Sequence, residues 1–239
     1  MGTTFLELTN RVIRKLNQVE LTSANFSSAT GFQALAKDLV QEAIDDINQA
    51  VTQWPFNHST GTITTTDGTQ TYALASDNKV TDWKTFYLNE NASLEVSSKP
   101  LGVVEYLEWH NRLRANDQLA TAGSVNIPAQ IYRTRDLKIG VSPIPDRAYT
   151  ITYEYWKNST PLAAATSTTL IPSEYDRVII AFAMQGAYDF RENYEMAAKE
   201  YQKYKKSLAD MKRTLVPQEI TYAYDTRTRS RSRRDGWSK

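Results

Sequence analysis

The chain has 239 residues, which is enough for one large domain or two small ones. Its 28 lysines and arginines nearly balance 27 aspartates and glutamates, and this net charge of +1 argues against a globally basic nucleic-acid binder and an acidic disordered protein. The absence of cysteine and the presence of only two histidines exclude a disulfide scaffold, a cysteine-ligated zinc site and a thiol nucleophile, and favour a structural protein over an enzyme.

The first sixty residues predict two amphipathic helices. Thr4 and Glu7 have the spacing of a capping box, which would begin the first helix. A polar segment at residues 22–30 interrupts the apolar pattern, and a second stripe at helical spacing runs over residues 32–54. Pro55 disfavours the helical conformation in the residue before it, so the second helix should end there.

The following part of the chain indicates strands. Threonine, a β-branched residue suited to strands, takes seven of the twelve positions in 60–71, and Asp67-Gly68 between these arms predicts a hairpin. Apolar residues within 80–88 predict one or two further strands. Residues 103–114 predict a short helix, and the polar residues 115–129 predict a loop.

Residues 131–156 give the clearest strand pattern. Apolar and polar side chains alternate over 137–141 and again over 149–155, and Pro143-Ile144-Pro145-Asp146 predicts the turn between them. Alternation indicates one buried and one exposed face, so we expect an antiparallel sheet.

After a linker at 160–170, apolar residues recur every seven positions in two offset series between residues 180 and 215. One continuous helix would be about 54 Å long at roughly 1.5 Å per residue, which suggests packing against a neighbouring subunit. Two shorter helices broken near Glu192-Asn193-Tyr194 are the alternative. The residues predicted to form this inter-subunit seam are Ile180, Ala187, Phe190, Tyr194, Tyr201, Tyr204, Leu208 and Met211.

These patterns predict an α+β fold. Two N-terminal helices and one long C-terminal helix, or a helix pair, would form a bundle from residues 1–59 and 170–216. Residues 60–169 would form an inserted antiparallel β domain, and residues 217–239 an extended C-terminal segment.

The C-terminal extension is basic. Residues 221–239 carry six basic and two acidic side chains, a charge of +4, which leaves −3 on residues 1–220. Its arginines could neutralise phosphates, or dock on an acidic protein surface through bidentate carboxylate pairs, or only keep a disordered segment soluble. Docking to a protein is favoured, because a terminal tryptophan often anchors an interface. The residues predicted to dock are Arg227, Arg229, Arg231, Arg233, Arg234 and Trp237.

No pattern predicts catalytic, cofactor-binding or metal-binding residues. His58 and His110 lack the spacing of a metal site, and no phosphate-binding glycine motif is present. A carboxylate run on the second helix has the spacing of a solvated face rather than of an acid–base pair; it consists of Asp38, Glu42, Asp45 and Asp46. No apolar run approaches the roughly 18–20 residues that span a bilayer, so no membrane anchor is expected.

An ordered series of short motifs resembles the tail tubular protein A family, the head-to-tail adaptors of short-tailed phages. The motifs are Trp54-Pro55-Phe56-Asn57, Tyr72-Ala73-Leu74-Ala75-Ser76-Asp77, Asp82-Trp83-Lys84-Thr85-Phe86-Tyr87-Leu88, Tyr132-Arg133-Thr134-Arg135-Asp136-Leu137-Lys138, Pro143-Ile144-Pro145-Asp146, Tyr153-Glu154-Tyr155-Trp156, Ile171-Pro172 and Asp189-Phe190-Arg191-Glu192-Asn193. They cover roughly residues 5–215. Ala75 stands where the family more commonly has proline.

The resemblance implies a non-enzymatic virion protein at the head-to-tail junction, present in the host cytoplasm during assembly. Such adaptors form rings, usually of twelve copies, and need no cofactor. The portal protein lies above, the tail nozzle or fibre proteins lie below, and genomic double-stranded DNA passes through the channel. The C-terminal segment typically reaches the portal, which fits the basic extension.

Two other functions are alternatives. A tail component that degrades cell wall or carbohydrate is permitted by the tyrosine-rich sheet and the carboxylates, but no Asp/Glu pair brackets an aromatic cleft motif. A sequence-specific DNA-binding regulator is disfavoured, because the acidic body offers no basic helix for a major groove.

Overall fold

The structure is a computed structural model that describes residues 2–91, 97–117 and 125–216. Its helices are α1 (Phe5–Lys15), α2 (Phe32–Ala50), α3 (Tyr106–Glu108), which continues through a π-helical turn (Trp109–Leu113) into α4 (Arg114–Asp117), α5 (Asp176–Phe190) and α6 (Tyr194–Leu215). Its strands are β1 (His58–Thr64), β2 (Thr71–Tyr72), β3 (Asn78–Thr81), β4 (Tyr87–Leu88), β5 (Lys99–Pro100), β6 (Gly102–Val104), β7 (Gln130–Arg133), β8 (Ile139–Ser142) and β9 (Thr150–Lys157). Long helices at both ends of this sequence flank the strands, so the predicted α+β fold is confirmed.

Helix α1 begins at the predicted N-cap. The Thr4 hydroxyl oxygen accepts a hydrogen bond from the Glu7 amide at 3.3 Å, which satisfies one of the free donors of the first turn. The Glu7 carboxylate does not reach back to the cap, because it accepts a hydrogen bond from the Arg11 guanidinium at 3.1 Å. Only half of the capping box therefore forms.

Helix α2 ends four residues earlier than the apolar stripe predicted. Val51 is extended, with φ −142° and ψ 136°, and Pro55 begins a short 3-10 turn that ends at Asn57. Trp54 is extended, as a residue before proline should be, and it is fully buried in the helical core. The apolar pattern in the sequence extends beyond the end of α2 because the chain after the helix folds back and buries Trp54 in the same core.

Of the two alternatives left open for residues 180–215, the structure shows two helices, with the break near Glu192. Glu192 adopts a left-handed conformation with φ 58°, and the Asn193 side chain accepts a hydrogen bond from the Met196 amide at 3.2 Å to cap α6. The two helices then pack side by side, with the Phe182 and Tyr204 rings 5.1 Å apart. The heptad pattern is continuous in sequence because both helices contribute to the same core, with Ile180 and Ala187 from α5 and Tyr204 and Met211 from α6.

The strands form two sheets. In the first, the order is β1-β9-β4-β5, and β3 also pairs with β9; in the second, the order is β2-β8-β7-β6. All pairs are antiparallel except β6 with β7, which is parallel, so the purely antiparallel sheet that we predicted is corrected. Alternation over β9 is as expected, because Ile151, Tyr153 and Tyr155 are buried.

The predicted hairpin at Asp67-Gly68 is also wrong. A turn does form there, and Gly68 has φ 70°, but its two arms diverge. Strand β1 pairs with β9 and β2 pairs with β8, so the turn connects the two sheets instead of two neighbouring strands. The short helix likewise covers 106–117 instead of 103–114, because the first of those residues belong to β6; this places the start of the predicted loop 115–129 in a helix.

Each sheet contains a glycine that lies beneath a buried tyrosine. Gly61 is the cross-strand partner of Tyr153, and a Cβ atom at this glycine would lie 2.3 Å from the ring. Gly140 is the partner of Tyr132 in the second sheet, where the corresponding distance is 2.1 Å. The tyrosine ring occupies the space that the glycine leaves open, which pins the strand register in both sheets.

The buried side chains form two hydrophobic clusters. One joins the helices with Trp54, and the other joins the strands around Phe86, Ile131, Ile151 and Tyr153. The domain boundaries at 1–59, 60–169, 170–216 and 217–239 stay a prediction.

The segment predicted as a linker at 160–170 is hydrogen-bonded to the N-terminus. The Phe5 amide donates to the Ser167 carbonyl at 2.8 Å, and the Thr169 amide donates to the Thr3 carbonyl at 3.3 Å. The segment that returns to α5 thus passes along the start of α1.

Candidate functional site

The eight residues predicted as an inter-subunit seam divide into two groups. The members buried in the chain's own helical core are Ile180, Ala187, Tyr204 and Met211. Phe190, Tyr194 and Tyr201 are 64%, 69% and 38% exposed, and Leu208 is half-buried. A side chain buried within one chain is not available to a second, so inter-subunit contact stays a prediction for the accessible members alone.

Exposed aromatic side chains lie where α5 turns into α6. The Phe190 ring lies 6.4 Å from the ring of Phe32, the first residue of α2. The Arg191 guanidinium lies 5.1 Å from the Phe32 ring centre, and Tyr194 begins α6 beside it. Because large aromatics are costly to leave in water, their grouping at one turn indicates an interaction surface.

The carboxylate run on α2 is only partly solvated. Asp38 and Glu42 are exposed, whereas Asp45 accepts a hydrogen bond from the Gln41 amide at 3.0 Å. Asp46 accepts a hydrogen bond from the Tyr204 hydroxyl, which ties α2 to α6. The expectation of a wholly solvated face is therefore corrected at Asp46. Spacing on α2 gave no signal of this bond, because its partner lies 158 residues away.

The two histidines lie on the surface, in different surroundings. His58 Nε2 is 3.2 Å from a Glu154 carboxylate oxygen, and the His58 ring meets Trp156 edge to face at 5.7 Å. His110 Nε2 is 2.6 Å from the Arg114 guanidinium. Within residues 2–91, 97–117 and 125–216, no group of three His, Asp or Glu side chains is placed to hold a metal ion.

Two side chains from outside α2 bond its last carbonyls, and one of them lies on the first sheet. Trp54 Nε1 donates to the Ile47 carbonyl at 2.7 Å. Lys79, on β3, donates to the carbonyls of Asn48 at 2.5 Å and Val51 at 3.3 Å. A cation at a helix C-terminus is favoured by the helix dipole, so Lys79 both caps α2 and links it to the first sheet.

A second junction, the Asp117 hub, is a buried carboxylate at the end of α4. One oxygen of Asp117 accepts hydrogen bonds from Trp109 Nε1 at 2.7 Å and from the Gln70 amide at 2.9 Å, and the other accepts from the Ser142 hydroxyl at 3.1 Å. The Trp109 ring stacks on Tyr132 at 4.1 Å. The hub therefore fixes the short helix on the second sheet, where it holds the Tyr132 ring over Gly140.

Buried tyrosines should make the fold sensitive to alkali. Burial raises the pKa of Tyr132, and neighbouring Asp117 raises it further; burial and then Asp46 do the same to the pKa of Tyr204. Below pH 10 these tyrosines are protonated in both the folded and the unfolded chain, so the free energy of unfolding does not depend on them. Above pH 10 only the unfolded chain loses the protons, so the free energy of unfolding falls by about 1.4 kcal/mol per pH unit for each tyrosine until the folded-state pKa is reached. Urea unfolding at pH 8, 10 and 11 measures this slope. Tyr204→Phe should make this slope shallower by the contribution of one tyrosine. A free energy of unfolding that does not change between pH 8 and pH 11 would contradict the prediction.

The residues predicted to dock on the portal, from Arg227 to Trp237, lie outside the described residues. Within the described ranges, no helix combines the length and apolar composition that crossing a membrane requires.

Comparison with known protein families gives a match over nearly the whole chain. A family model described as SU10 adaptor protein matches residues 3–234, which is nearly the full length. No curated protein matches the chain. The match is consistent with the phage head-to-tail adaptor that the motif series predicted, although the family bears another description than tail tubular protein A. Adaptors of this kind are structural rather than enzymatic. The chain therefore belongs to the SU10 adaptor protein family and is a phage structural adaptor protein.

Proposed function

We propose that this protein is the subunit of a head-to-tail adaptor ring that links the portal to the tail and lines the DNA channel. The observation that carries the proposal is the adaptor family match over residues 3–234. The exposed aromatic residues at the α5–α6 turn support self-association, because they offer apolar surface that the chain itself leaves uncovered. The role is mechanical: the ring seals the filled head, carries the tail and guides DNA at ejection.

The proposed partners follow from this role. Copies of the same chain, twelve in number, would form the ring; the portal would lie above, and the tail nozzle or fibre proteins below. The protein would reside at the head-to-tail junction of the virion and in the host cytoplasm during assembly. The charge of −3 on residues 1–220 suits a channel through which DNA slides without adhering, since like charges repel.

Electron microscopy of the purified chain mixed with its portal protein tests the ring. We expect rings coaxial with the portal, with twelve copies of the chain. Free chain that stays monomeric agrees with the proposal when rings form on the portal. No ring in the presence of the portal would overturn it.

Removal of residues 221–239 should abolish portal docking and leave the far-UV circular dichroism of the body unchanged. The reason is the loss of arginine side chains that pair with carboxylates in bidentate geometry, together with Trp237. Co-sedimentation with the portal measures docking. As a control, lysine at the five positions Arg227, Arg229, Arg231, Arg233 and Arg234 keeps the charge but should weaken docking.

Intact docking by the truncated chain would contradict this role of the extension. If the extension instead binds duplex DNA, affinity should fall with salt at a log–log slope of about −0.9 for each phosphate neutralised.

A further inference from the structure

We propose that the ring contact is made by the α5–α6 turn of one subunit seated in a cleft between the two sheets of the next. We call the first surface the aromatic knob, defined by Asp189, Phe190, Glu192 and Tyr194. We call the second the sheet cleft, defined by Lys79, Trp83, Arg133, Leu137 and Lys138. The inference rests on the proposed ring and names the surfaces that would form it.

The sheet cleft is lined by both apolar and charged side chains and is open to solvent. Its volume is about 590 Å³, which lies in the range of pockets that receive a ligand or several side chains. Trp83 and Leu74 line it beside the aliphatic part of β3. Leu137 also lines the cleft and is 61% exposed, so its side chain is accessible to a second copy.

Backbone conformation singles out both surfaces. Leu137 has φ 62° and Glu192 has φ 58°. Both values lie in the left-handed region of backbone conformation, which residues other than glycine and asparagine rarely adopt. Among the residues that the structure describes, only Asn17 joins them in this class. Glycine would fit each turn better, so leucine and glutamate are not explained by local stability. In the proposed contact, these two strained, exposed positions take part in association.

The two surfaces are opposite in charge. The sheet cleft is lined by Lys79, Arg133 and Lys138 against one acid, Asp136, which gives +2. Lys138 pairs with Asp136 at 2.8 Å, whereas Arg133 forms no ion pair within the described part of the chain.

The aromatic knob carries an excess of negative charge. Residues 189–194 hold two acids, Asp189 and Glu192, and one arginine, Arg191, which gives −1. Glu195 pairs with Lys199, whereas Asp189 and Glu192 form no ion pair in the described ranges. Asp189 accepts a hydrogen bond from the Gln185 amide at 3.1 Å. Arg133 on one surface and the Asp189 and Glu192 carboxylates on the other are therefore complementary charges, and such charges orient an association and speed it.

The knob and the cleft cannot meet within one chain. Phe190 contacts Phe32 at the first residue of α2, whereas Lys79 bonds the carbonyls of Asn48 and Val51 at its end. Helix α2 has 19 residues, a length of about 28 Å at roughly 1.5 Å per residue. Contact between two different surfaces at opposite ends is heterologous. Such contacts repeat from copy to copy and form a ring when the rotation between copies closes.

Disulfide trapping tests the contact directly, because the chain has no cysteine of its own. Leu137→Cys mixed with Tyr194→Cys in the full chain should give, under oxidation with the portal present, a cross-linked pair of about twice 27.2 kDa. A chain that carries both cysteines should give a ladder of higher multiples. Val19, which is 80% exposed and lies on neither surface, supplies the control as Val19→Cys mixed with Leu137→Cys.

Leu137→Gly separates association from folding. This change removes the apolar side chain and also removes the steric cost of a positive φ at position 137. The midpoint of urea unfolding should therefore stay the same or rise. Ring assembly on the portal should fall at least tenfold. Equal assembly by Leu137→Gly, or cross-linking no stronger than in the Val19→Cys control, would overturn the knob-and-cleft contact.

The two failures are distinguishable. Rings on the portal without the Leu137–Tyr194 cross-link would refute this contact and leave the adaptor ring standing. A specific cross-link without any ring on the portal would support the contact and refute the proposed ring function.

Discussion

Replacement of Trp54 by alanine is expected to lower the free energy of unfolding by about 3–5 kcal/mol, the usual cost of emptying a buried tryptophan site. The side chain is fully buried, stacks on Phe56 with ring centres 5.2 Å apart, and donates Nε1 to the Ile47 carbonyl. The change therefore creates a cavity and also leaves a carbonyl of α2 without its partner. Since whole domains are stable by only about 5–15 kcal/mol, this loss is a large fraction of the total.

Trp54→Phe is the matched control for this prediction. It keeps an aromatic ring in the site but removes the donor to Ile47, so we expect a smaller loss of about 1–2 kcal/mol. Urea unfolding followed by far-UV circular dichroism measures both variants. If Trp54→Ala unfolds within 1 kcal/mol of the unchanged protein, roughly the spread of surface substitutions, Trp54 does not anchor the helical core.

Replacement of Asp117 by alanine should lower the free energy of unfolding by about 3 kcal/mol, because buried donors then lose their common acceptor. Trp109 Nε1 is the most costly of these donors, since the Trp109 side chain is itself buried against Tyr132. The loss should also change the near-UV circular dichroism, which reports the stacked Trp109 and Tyr132 rings.

Two controls distinguish the acceptor from its donors. Asp117→Asn keeps one acceptor oxygen but turns an amide towards the donors, so we expect an intermediate loss. Gln70→Ala removes a single donor and leaves the bond from Trp109 to Asp117 intact, which should cost about 1 kcal/mol. Equal losses for Gln70→Ala and Asp117→Ala would show that the hub does not depend on the carboxylate.

Local sequence signals predicted most helices and strands. The Thr4 cap, the stripe behind Phe32 and the alternation over residues 149–155 all depend on neighbours within a few positions, and the structure follows them. The break at Glu192 was present as an open alternative, and Asn193, a residue type favoured at N-caps, was the signal that could have decided for it.

Pairing over long distances could not be predicted in the same way. The Thr-rich arms around Asp67-Gly68 look like a hairpin locally, but their partners lie in β8 and β9, more than sixty residues away. Lys79 and Asp117 resemble ordinary surface residues in the sequence. Their roles as helix cap and hydrogen-bonding hub arise only once the sheets approach α2 and the short helix.

The order of segments along the chain has a consequence for folding kinetics. Helices α1 and α2 lie before the strands and α5 and α6 lie after them, yet hydrogen bonds such as that between Thr3 and Asp176 join positions 173 residues apart. Closing so long a loop lowers the conformational entropy of the chain before the contacts that stabilise the fold can form. Strands that pair first would shorten the effective loop, so substitutions in the sheets should slow refolding, whereas substitutions between α2 and α5 should mainly speed unfolding.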